Sequence, residues 1–203
     1  SCALKTGGQA VCWGYNNFGQ LGDGTNTNRL TPVNVNGVSD AVAIEAGFSH
    51  ACATRSSGQV VCWGANANGQ LGDGTTNASA TPVEVSGLGN ATAISAGGSH
   101  SCAVRNSGQA VCWGFNGNGR LGDGTLDNRL VPTDVSGLGD ATEIDVGVFH
   151  RCAIRSSGQS VSWGYNGYGQ LGLGDTTARL TPVDVPGLAA TRSIHAGRPQ
   201  TCA

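Results

Sequence analysis

The chain has 203 residues, of which 38% are hydrophobic and 12% charged, and its net charge is −2. Eleven basic side chains are dispersed among thirteen acidic ones. Nucleic-acid binders present a basic face to phosphates, so this balance predicts no nucleic-acid partner. The sequence has no run of 18 apolar residues, which predicts no membrane insertion.

The sequence repeats itself at a period of 50 residues. The pair Trp13-Gly14 returns at each period, and so does a Cys-Ala pair. The tryptophans are Trp13, Trp63, Trp113 and Trp163, and the cysteines of the second pair are Cys2, Cys52, Cys102, Cys152 and Cys202. A fixed period of this length is typical of stacked supersecondary units. We therefore predict a single array over residues 1–203, with units of about 1–50, 51–100, 101–150 and 151–200, and residues 201–203 beginning a fifth.

Each unit is predicted to contain four short strands and no helix. In the second unit, residues 50–55 and 59–63 flank Ser56-Ser57-Gly58, a three-residue hairpin loop with a glycine at its left-handed position. Residues 81–85 and 91–97 supply two more strands. The hairpin strands are apolar on both faces, as in sheets that lie between other sheets. The sequence thus predicts an all-β fold, a β-propeller-type array of four four-stranded blades.

The hairpin register predicts three disulfides. Counting outward from the turn places Cys52 opposite Cys62 in a non-hydrogen-bonded pair, with Cα atoms about 4.5 Å apart. The same spacing predicts bridges between Cys2 and Cys12 and between Cys102 and Cys112. Structural disulfides belong to oxidising compartments. We therefore expect an extracellular or secreted protein, with the periplasm or a cell surface as alternatives.

Two cysteines have no partner in this register. Cys152 faces Ser162, and the partner of Cys202 would lie ten residues further on. Three possibilities stay open at this stage. The two cysteines are free thiols, are joined to each other, or are joined to another chain.

Histidine precedes the first cysteine of three hairpins by two residues, at His50, His100 and His150. A zinc site of His-x-Cys and a cross-strand cysteine is one interpretation. The favoured one is a buried histidine that hydrogen-bonds neighbouring backbone beside a disulfide, because Gln200 takes the histidine's place in the last copy. We predict no metal site here.

Other motifs for chemistry are weak. Residues 117–122 fit GxGxxG, but no helix follows to meet a pyrophosphate. Asp23 and the polar residues after it offer oxygens to calcium, although Asx turns are the favoured explanation. The sequence also lacks a GxSxG elbow, a P-loop lysine and an HExxH motif. We therefore predict a protein that is not an enzyme and needs no cofactor.

The run from Trp63 to Gly72, Trp-Gly-x-Asn-x-x-Gly-Gln-Leu-Gly, resembles the regulator of chromosome condensation repeat. The resemblance covers the whole chain, four times over. It implies a propeller, usually of seven blades, in a family that works mostly through protein–protein contact. Its members include a guanine-nucleotide exchange factor, ubiquitin-ligase adaptors, a plant ultraviolet photoreceptor and secreted β-lactamase inhibitors. The fold alone therefore leaves the function open.

Four units are fewer than the usual ring contains. If four blades closed on themselves, residues 201–203 would compete with residues 1–3 for one position. We therefore expect part of a larger ring or array. A closed four-bladed propeller is the alternative.

Aromatic residues other than tryptophan occupy slots that vary between copies. Core slots rarely exchange glycine for phenylalanine, because a void or a clash would follow. These side chains are therefore predicted to be exposed, and strand parity places their loops on one rim of the array. They are Tyr15, Phe18, Phe48, Phe115, Phe149, Tyr165 and Tyr168.

Aromatic side chains on a rigid scaffold favour a binding function, because they dominate binding hot spots. The leading hypothesis is a secreted, non-catalytic module that binds a protein partner through this rim. Drift of unconstrained loops is the competing explanation of the variation. A self-assembling building block, forming rings or filaments as a homo-oligomer, is the alternative function. A third hypothesis is guanine-nucleotide exchange, although disulfides fit poorly with a nuclear partner.

Overall fold

The structure, a computed structural model, describes residues 1–197 and 200–203. These residues form seventeen β-strands in five antiparallel sheets, in which every strand pairs with its neighbours in sequence. The first sheet contains β1 (Cys2–Leu4), β2 (Ala10–Gly14) and β3 (Arg29–Asn34). The second contains β4 (Ala41–Ala46), β5 (His50–Arg55), β6 (Val60–Gly64) and β7 (Ser79–Glu84).

The third and fourth sheets repeat the second. The third contains β8 (Ala91–Ala96), β9 (His100–Arg105), β10 (Ala110–Gly114) and β11 (Arg129–Asp134), with a single 3₁₀ turn at Gly117–Gly119. The fourth contains β12 (Ala141–Val146), β13 (His150–Arg155), β14 (Ser160–Gly164) and β15 (Arg179–Asp184). The fifth contains β16 (His195–Ala196) and β17 (Thr201–Cys202). The predicted all-β array of blades is confirmed.

Blades and sequence repeats are out of phase. The last strand of each 50-residue repeat forms the first strand of the following blade, as β4 does for the second sheet. The first sheet consequently has three strands, and the short last sheet starts with β16. Each blade after the first therefore combines strands of two successive repeats, so neighbouring repeats share a sheet as well as a packing interface.

The first strands of the blades surround a common axis. The ends of β4, β8, β12 and β16 line a cavity of about 240 Å³ together with the glycines that follow them. Among the described residues the sheets do not close into a ring. The structure is thus the open array that the sequence favoured, and the closed four-bladed alternative is not formed.

The hairpins have the predicted geometry. Gly58 has a φ of +84°, and Arg55 N donates to Gln59 O at 2.8 Å across the loop. The register places Cys52 opposite Cys62, and disulfides join the three cysteine pairs at Cα–Cα distances of 4.0–4.1 Å. In the fourth blade Ser162 takes the second cysteine's place and donates to Leu171 O at 2.7 Å.

Tryptophan side chains connect neighbouring blades by packing and hydrogen bonding. Trp13 of the first blade is half-buried, but the other three indoles are completely buried, and the Nε1 of each donates to a backbone oxygen of the preceding repeat. The three bonds are Trp63 to Gln20 (3.0 Å), Trp113 to Gln70 (3.0 Å) and Trp163 to Arg120 (3.2 Å). Each boundary thus buries a large indole whose donor is satisfied, which stabilises the packing of one blade on the next.

A glycine of the preceding loop makes room for each indole. A Cβ on Gly72 would lie 2.7 Å from Trp113 Nε1, and Gly72 has a φ of +69°. Both close approach and left-handed backbone therefore require glycine at this point.

No helix among the described residues has the length and apolarity to cross a membrane.

A pair of glycine substitutions tests the tryptophan contact. Gly172 has nearly the same φ, +70°, but a Cβ there would meet only Val185 Cγ1 at 3.1 Å. Gly72→Ala is expected to lower the free energy of unfolding by about 2–4 kcal/mol, through backbone strain and displacement of the indole. Gly172→Ala should cost only the strain, about 1–2 kcal/mol. Urea unfolding of both variants measures the difference, and equal losses would contradict this packing role.

Candidate binding surface

Two loops of each blade meet at one rim of the array. Tyr165 N donates to Phe149 O at 3.0 Å, and Phe115 N donates to Ser99 O at 2.9 Å. Each bond joins the loop after a blade's first strand to the loop after its third strand. The variable loops therefore lie side by side, and we call the surface that they form the aromatic rim.

A buried asparagine holds the longer loop in shape. Asn66 Oδ1 accepts from Leu71 N at 2.9 Å, and its Nδ2 donates to Asp73 Oδ1 and Thr75 O, both at 3.1 Å. Asp73 Oδ1 also accepts from Thr75 N at 3.0 Å, which is an Asx turn. The asparagines of the other three repeats are equally buried. The rim thus rests on a fixed loop frame while its outer side chains vary.

The acidic residue of this loop stabilises the turn by accepting hydrogen bonds from neighbouring residues. In the first repeat Asp23 accepts from Thr25 N and from Arg29 Nε, and these bonds lower the pKa of its carboxyl although burial raises it. In the described part of the chain, no group of three or more histidine, cysteine, aspartate or glutamate side chains is placed to hold a metal ion.

Five of the seven predicted aromatic side chains are exposed. Their exposed fractions run from 42% at Phe149 to 76% at Tyr168, with Phe18, Tyr15 and Phe48 between them. Phe115 and Tyr165 differ from the prediction, because both are half-buried. Each ring folds back over its own loop, so that a Cβ on Gly117 would lie 2.6 Å from Phe115 Cζ, and one on Gly167 would also clash with Tyr165.

The structure brings the aromatic residues into two clusters. At the fourth blade, the ring of Tyr165 lies 6.0 Å from the rings of both Phe149 and Tyr168, edge to face. These rings and Asn118 line a cavity of about 250 Å³. At the first blade, Tyr15 and Phe18 form a similar pair at 6.4 Å.

Among the described residues, Phe48 forms no ring pair with either cluster. It lies at the mouth of the axial cavity and shares a small cavity with Tyr15. The densest aromatic surface is consequently the one at the fourth blade.

Sequence reasoning missed one member of this surface, Arg120. Its guanidinium lies 4.7 Å from the centre of the Phe115 ring and 5.7 Å from that of Phe149, within range of cation–π attraction. Arg120 joins Phe115 to the aromatic cluster of the fourth blade. A signal was available, because Gln20, Gln70 and Gln170 occupy the same slot in the other repeats.

Two of the three hairpin histidines, His50 and His150, form hydrogen bonds across blades. His50 Nε2 lies 2.9 Å from Ser101 Oγ, and Ser101 Oγ donates its hydrogen to Gln70 O at 3.0 Å. Nε2 of His50 must therefore be the donor to the hydroxyl. His150 makes the same contact with Thr201 at 2.7 Å. The interpretation as a buried histidine stands, but its partner is a hydroxyl of the next blade and not neighbouring backbone.

Burial keeps these imidazoles neutral. It lowers the pKa of His50 from 6.5 to about 4. The pKa of His150 is also about 4, lowered by burial and by Arg151 and partly raised by Asp145. The unfolded chain therefore binds more protons than the folded chain between pH 6.5 and about 4.

Stability is expected to depend on pH in this window. The free energy of unfolding should be insensitive to these histidines above pH 6.5 and should fall towards pH 4 by about 1.4 kcal/mol per pH unit for each of them. His50→Gln introduces the side chain that Gln200 has in the same slot, and it should reduce the slope by one histidine's share. Urea unfolding across the window measures both slopes, and an unchanged slope in the variant would disprove the assignment.

Two thiols are free in the structure, Cys152 and Cys202. Cys152 is completely buried, and burial raises the pKa of its thiol. Such a thiol is unreactive. Cys202 is exposed.

Comparison with known proteins agrees with the repeat pattern. The family model described as Regulator of chromosome condensation (RCC1) repeat matches residues 8–54, 57–104, 107–154 and 157–203. A second model of the same description matches 41–70, 91–120 and 141–170. The chain belongs to the RCC1-repeat family. None of the curated proteins matches it significantly.

Solved structures show the same fold. Human WBSCR16 is 23% identical to this RCC1-repeat chain with a TM-score of 0.88, and the match covers 98% of the chain and 54% of WBSCR16. Prp20p from Saccharomyces cerevisiae is 21% identical with a TM-score of 0.86, covering 98% and 52%. The ectodomain of the Physcomitrella patens receptor kinase CR4 is 25% identical with a TM-score of 0.61, covering 100% and 45%. The chain spans about half the length of these proteins.

Proposed function

We propose that this chain is a non-catalytic, protein-binding part of an extracellular protein, and that it binds through the aromatic rim at its fourth blade. The observation that carries the proposal is the cluster of Phe149, Tyr165 and Tyr168, whose longer loop is held in shape by the buried Asn166. RCC1-repeat propellers are typical protein-interaction modules. Those named among the similar structures include Prp20p, with binding properties to Gsp1p and histones, and yeast RCC1 bound by Kap60.

The chemistry of the rim supports binding by contact. Aromatic side chains supply much apolar area at a small entropic cost and are enriched in hot spots. Tyr165 and Tyr168 add hydroxyl groups, and Asn118 adds an amide beside the same cavity. The buried asparagines hold the loops in one conformation before a partner binds. The loss of conformational entropy on binding is therefore small.

The extracellular location is supported by two observations. Three disulfides lie in the hairpins, and such bridges persist in oxidising compartments. The similar CR4 structure is an ectodomain, and so is a further one, of the receptor kinase ACR4 from Arabidopsis thaliana.

Substitution of Tyr168 tests the binding surface. Its side chain is 76% exposed, so Tyr168→Ala should leave the melting temperature unchanged. Proteins exported by the native host are passed over the immobilised chain, and the partner retained is identified. Its affinity should fall at least about tenfold in the variant, as expected for a hot spot.

The matched control is Val42→Ala, which removes an exposed apolar side chain, 61% exposed, near the opposite end of a blade. This control should bind the partner normally. Light scattering on all three proteins separates a loss of binding from a change in self-association. A partner that binds Tyr168→Ala as tightly as the parent chain would contradict the proposed surface.

Thiol labelling in native material tests the compartment. The protein is alkylated without reductant as it leaves the host, and its peptides are mapped. Cys202 should be labelled at once, and Cys152 only after unfolding, because it is buried and its pKa is raised. The six hairpin cysteines should be recovered as three bridges. Free labelling of Cys2, Cys52 and Cys102 would exclude an oxidising location.

A further inference from the structure

The boundary between the third and fourth blades differs from the others in two slots. The slot of Arg120 holds glutamine in the other three repeats. The slot of Arg151 holds alanine, serine and threonine, at Ala51, Ser101 and Thr201. Both arginines are buried, with exposed fractions of 5% and 0%. We call this boundary, with Arg120 and Arg151, the arginine seam.

Arg120 reaches the aromatic rim with part of its guanidinium uncommitted. Its Nε donates to Gly117 O at 2.7 Å and its Nη1 to Val148 O at 3.2 Å. Nη2 donates to no acceptor among residues 1–197 and 200–203. Because the rings of Phe115 and Phe149 lie on this guanidinium, an acceptor that reached Nη2 would also contact aromatic surface.

Arg151 adds a second buried guanidinium at the same boundary, and burial and the neighbouring Arg120 lower its pKa. Its Nε, Nη1 and Nη2 are all buried without a hydrogen-bond partner in the described part of the chain. In the equivalent slot, Ser101 instead bonds His50 and Gln70 O. His100, which faces the arginine seam, consequently lacks partners for both of its nitrogens.

No carboxylate balances these charges. The ion pairs of the described residues include neither Arg120 nor Arg151. Burial lowers the pKa of Arg120 to about 10, which leaves it protonated at neutral pH. Arg120 and Arg151 also lower the pKa of His100, after the larger effect of burial. Unpaired buried charge is costly, so this part of the rim attracts an anion from outside.

We propose that the arginine seam binds an acidic segment of the protein partner, with a carboxylate at Nη2 of Arg120 and an adjacent apolar side chain in the cavity of Phe149, Tyr165 and Tyr168. This rests on the proposed function, since it specifies the partner for the same rim. The cavity, of about 250 Å³, has no acidic lining residue. The two buried arginines lie at one boundary of a chain whose net charge is −2, which fits a short acidic peptide better than a polyanion.

A charged copolymer tests the proposal with the 203-residue chain. The probe is a random copolymer of glutamate and tyrosine, compared with a copolymer of lysine and tyrosine, and binding is followed by interferometry. The glutamate copolymer should bind, more weakly as salt rises, and the lysine copolymer should not. Arg120→Gln, which introduces the residue of the other three repeats, should lower the affinity about tenfold.

Two further variants separate charge from folding. Lys5→Gln removes a charge from a hairpin turn at the opposite end of a blade and should bind as the parent chain does. Arg151→Ser introduces the side chain that Ser101 has in the equivalent slot. It should raise the melting temperature, because a buried guanidinium without partners is removed, and it should weaken binding of the glutamate copolymer, because a positive charge is lost.

Equal binding of the two copolymers, or undiminished binding by Arg120→Gln, would overturn this proposal. The proposed function is tested by a different measurement, the affinity of the native partner. It fails if Tyr168→Ala binds that partner as tightly as the parent chain does. If Tyr168→Ala loses the native partner while Arg120→Gln binds that partner as the parent chain does, the aromatic rim remains the binding surface. The proposal that the partner presents an acidic segment would then be wrong.

Discussion

Each of the three boundaries between the first four blades depends on one buried indole. Trp63, Trp113 and Trp163 each fill the space above a loop glycine of the preceding repeat and donate to a backbone oxygen there. A sheet that is apolar on both faces is stable only against neighbours, and the indole sets the distance and angle at which the neighbour lies. Because the contact joins the tryptophan of one repeat to the Gly-Gln-Leu-Gly run of another, both parts of the motif recur at the same period.

The rim follows from this contact. The loop that receives the indole is the one whose buried asparagine, such as Asn66, fixes the turn, and its outer residues form the rim. Packing therefore constrains the inner side of the loop and leaves the outer side free to change. That division explains how aromatic side chains can gather at the fourth blade, and are absent from the equivalent slots at the second, without altering the scaffold.

The buried polar groups of one blade are matched to hydrogen-bonding groups of the next blade at two boundaries but not at the third. Where serine or threonine accepts from a histidine of the preceding blade, the hydroxyl and the histidine Nε2 are both satisfied, and only the histidine Nδ1 lacks a partner among the described residues. Where Arg151 replaces them, the guanidinium and His100 are left without partners among residues 1–197 and 200–203. A stable scaffold rarely keeps such a cost without a use, and Arg120 at the same boundary contacts Phe115 and Phe149 of the aromatic rim.

The sequence by itself determined the repeat, the strands, the hairpin register with its disulfides, and the slots that vary, because these depend on local spacing and on periodicity. Strand parity also placed the variable loops on one rim. Only the tertiary structure decided that blades and repeats are out of phase, that the described sheets form an open array, and that Phe115 and Tyr165 fold back over their loops. It also decided that Arg120 and Arg151 meet at one boundary. Their slots lie 31 residues apart, and only the packing of two blades, which no local pattern describes, brings them together.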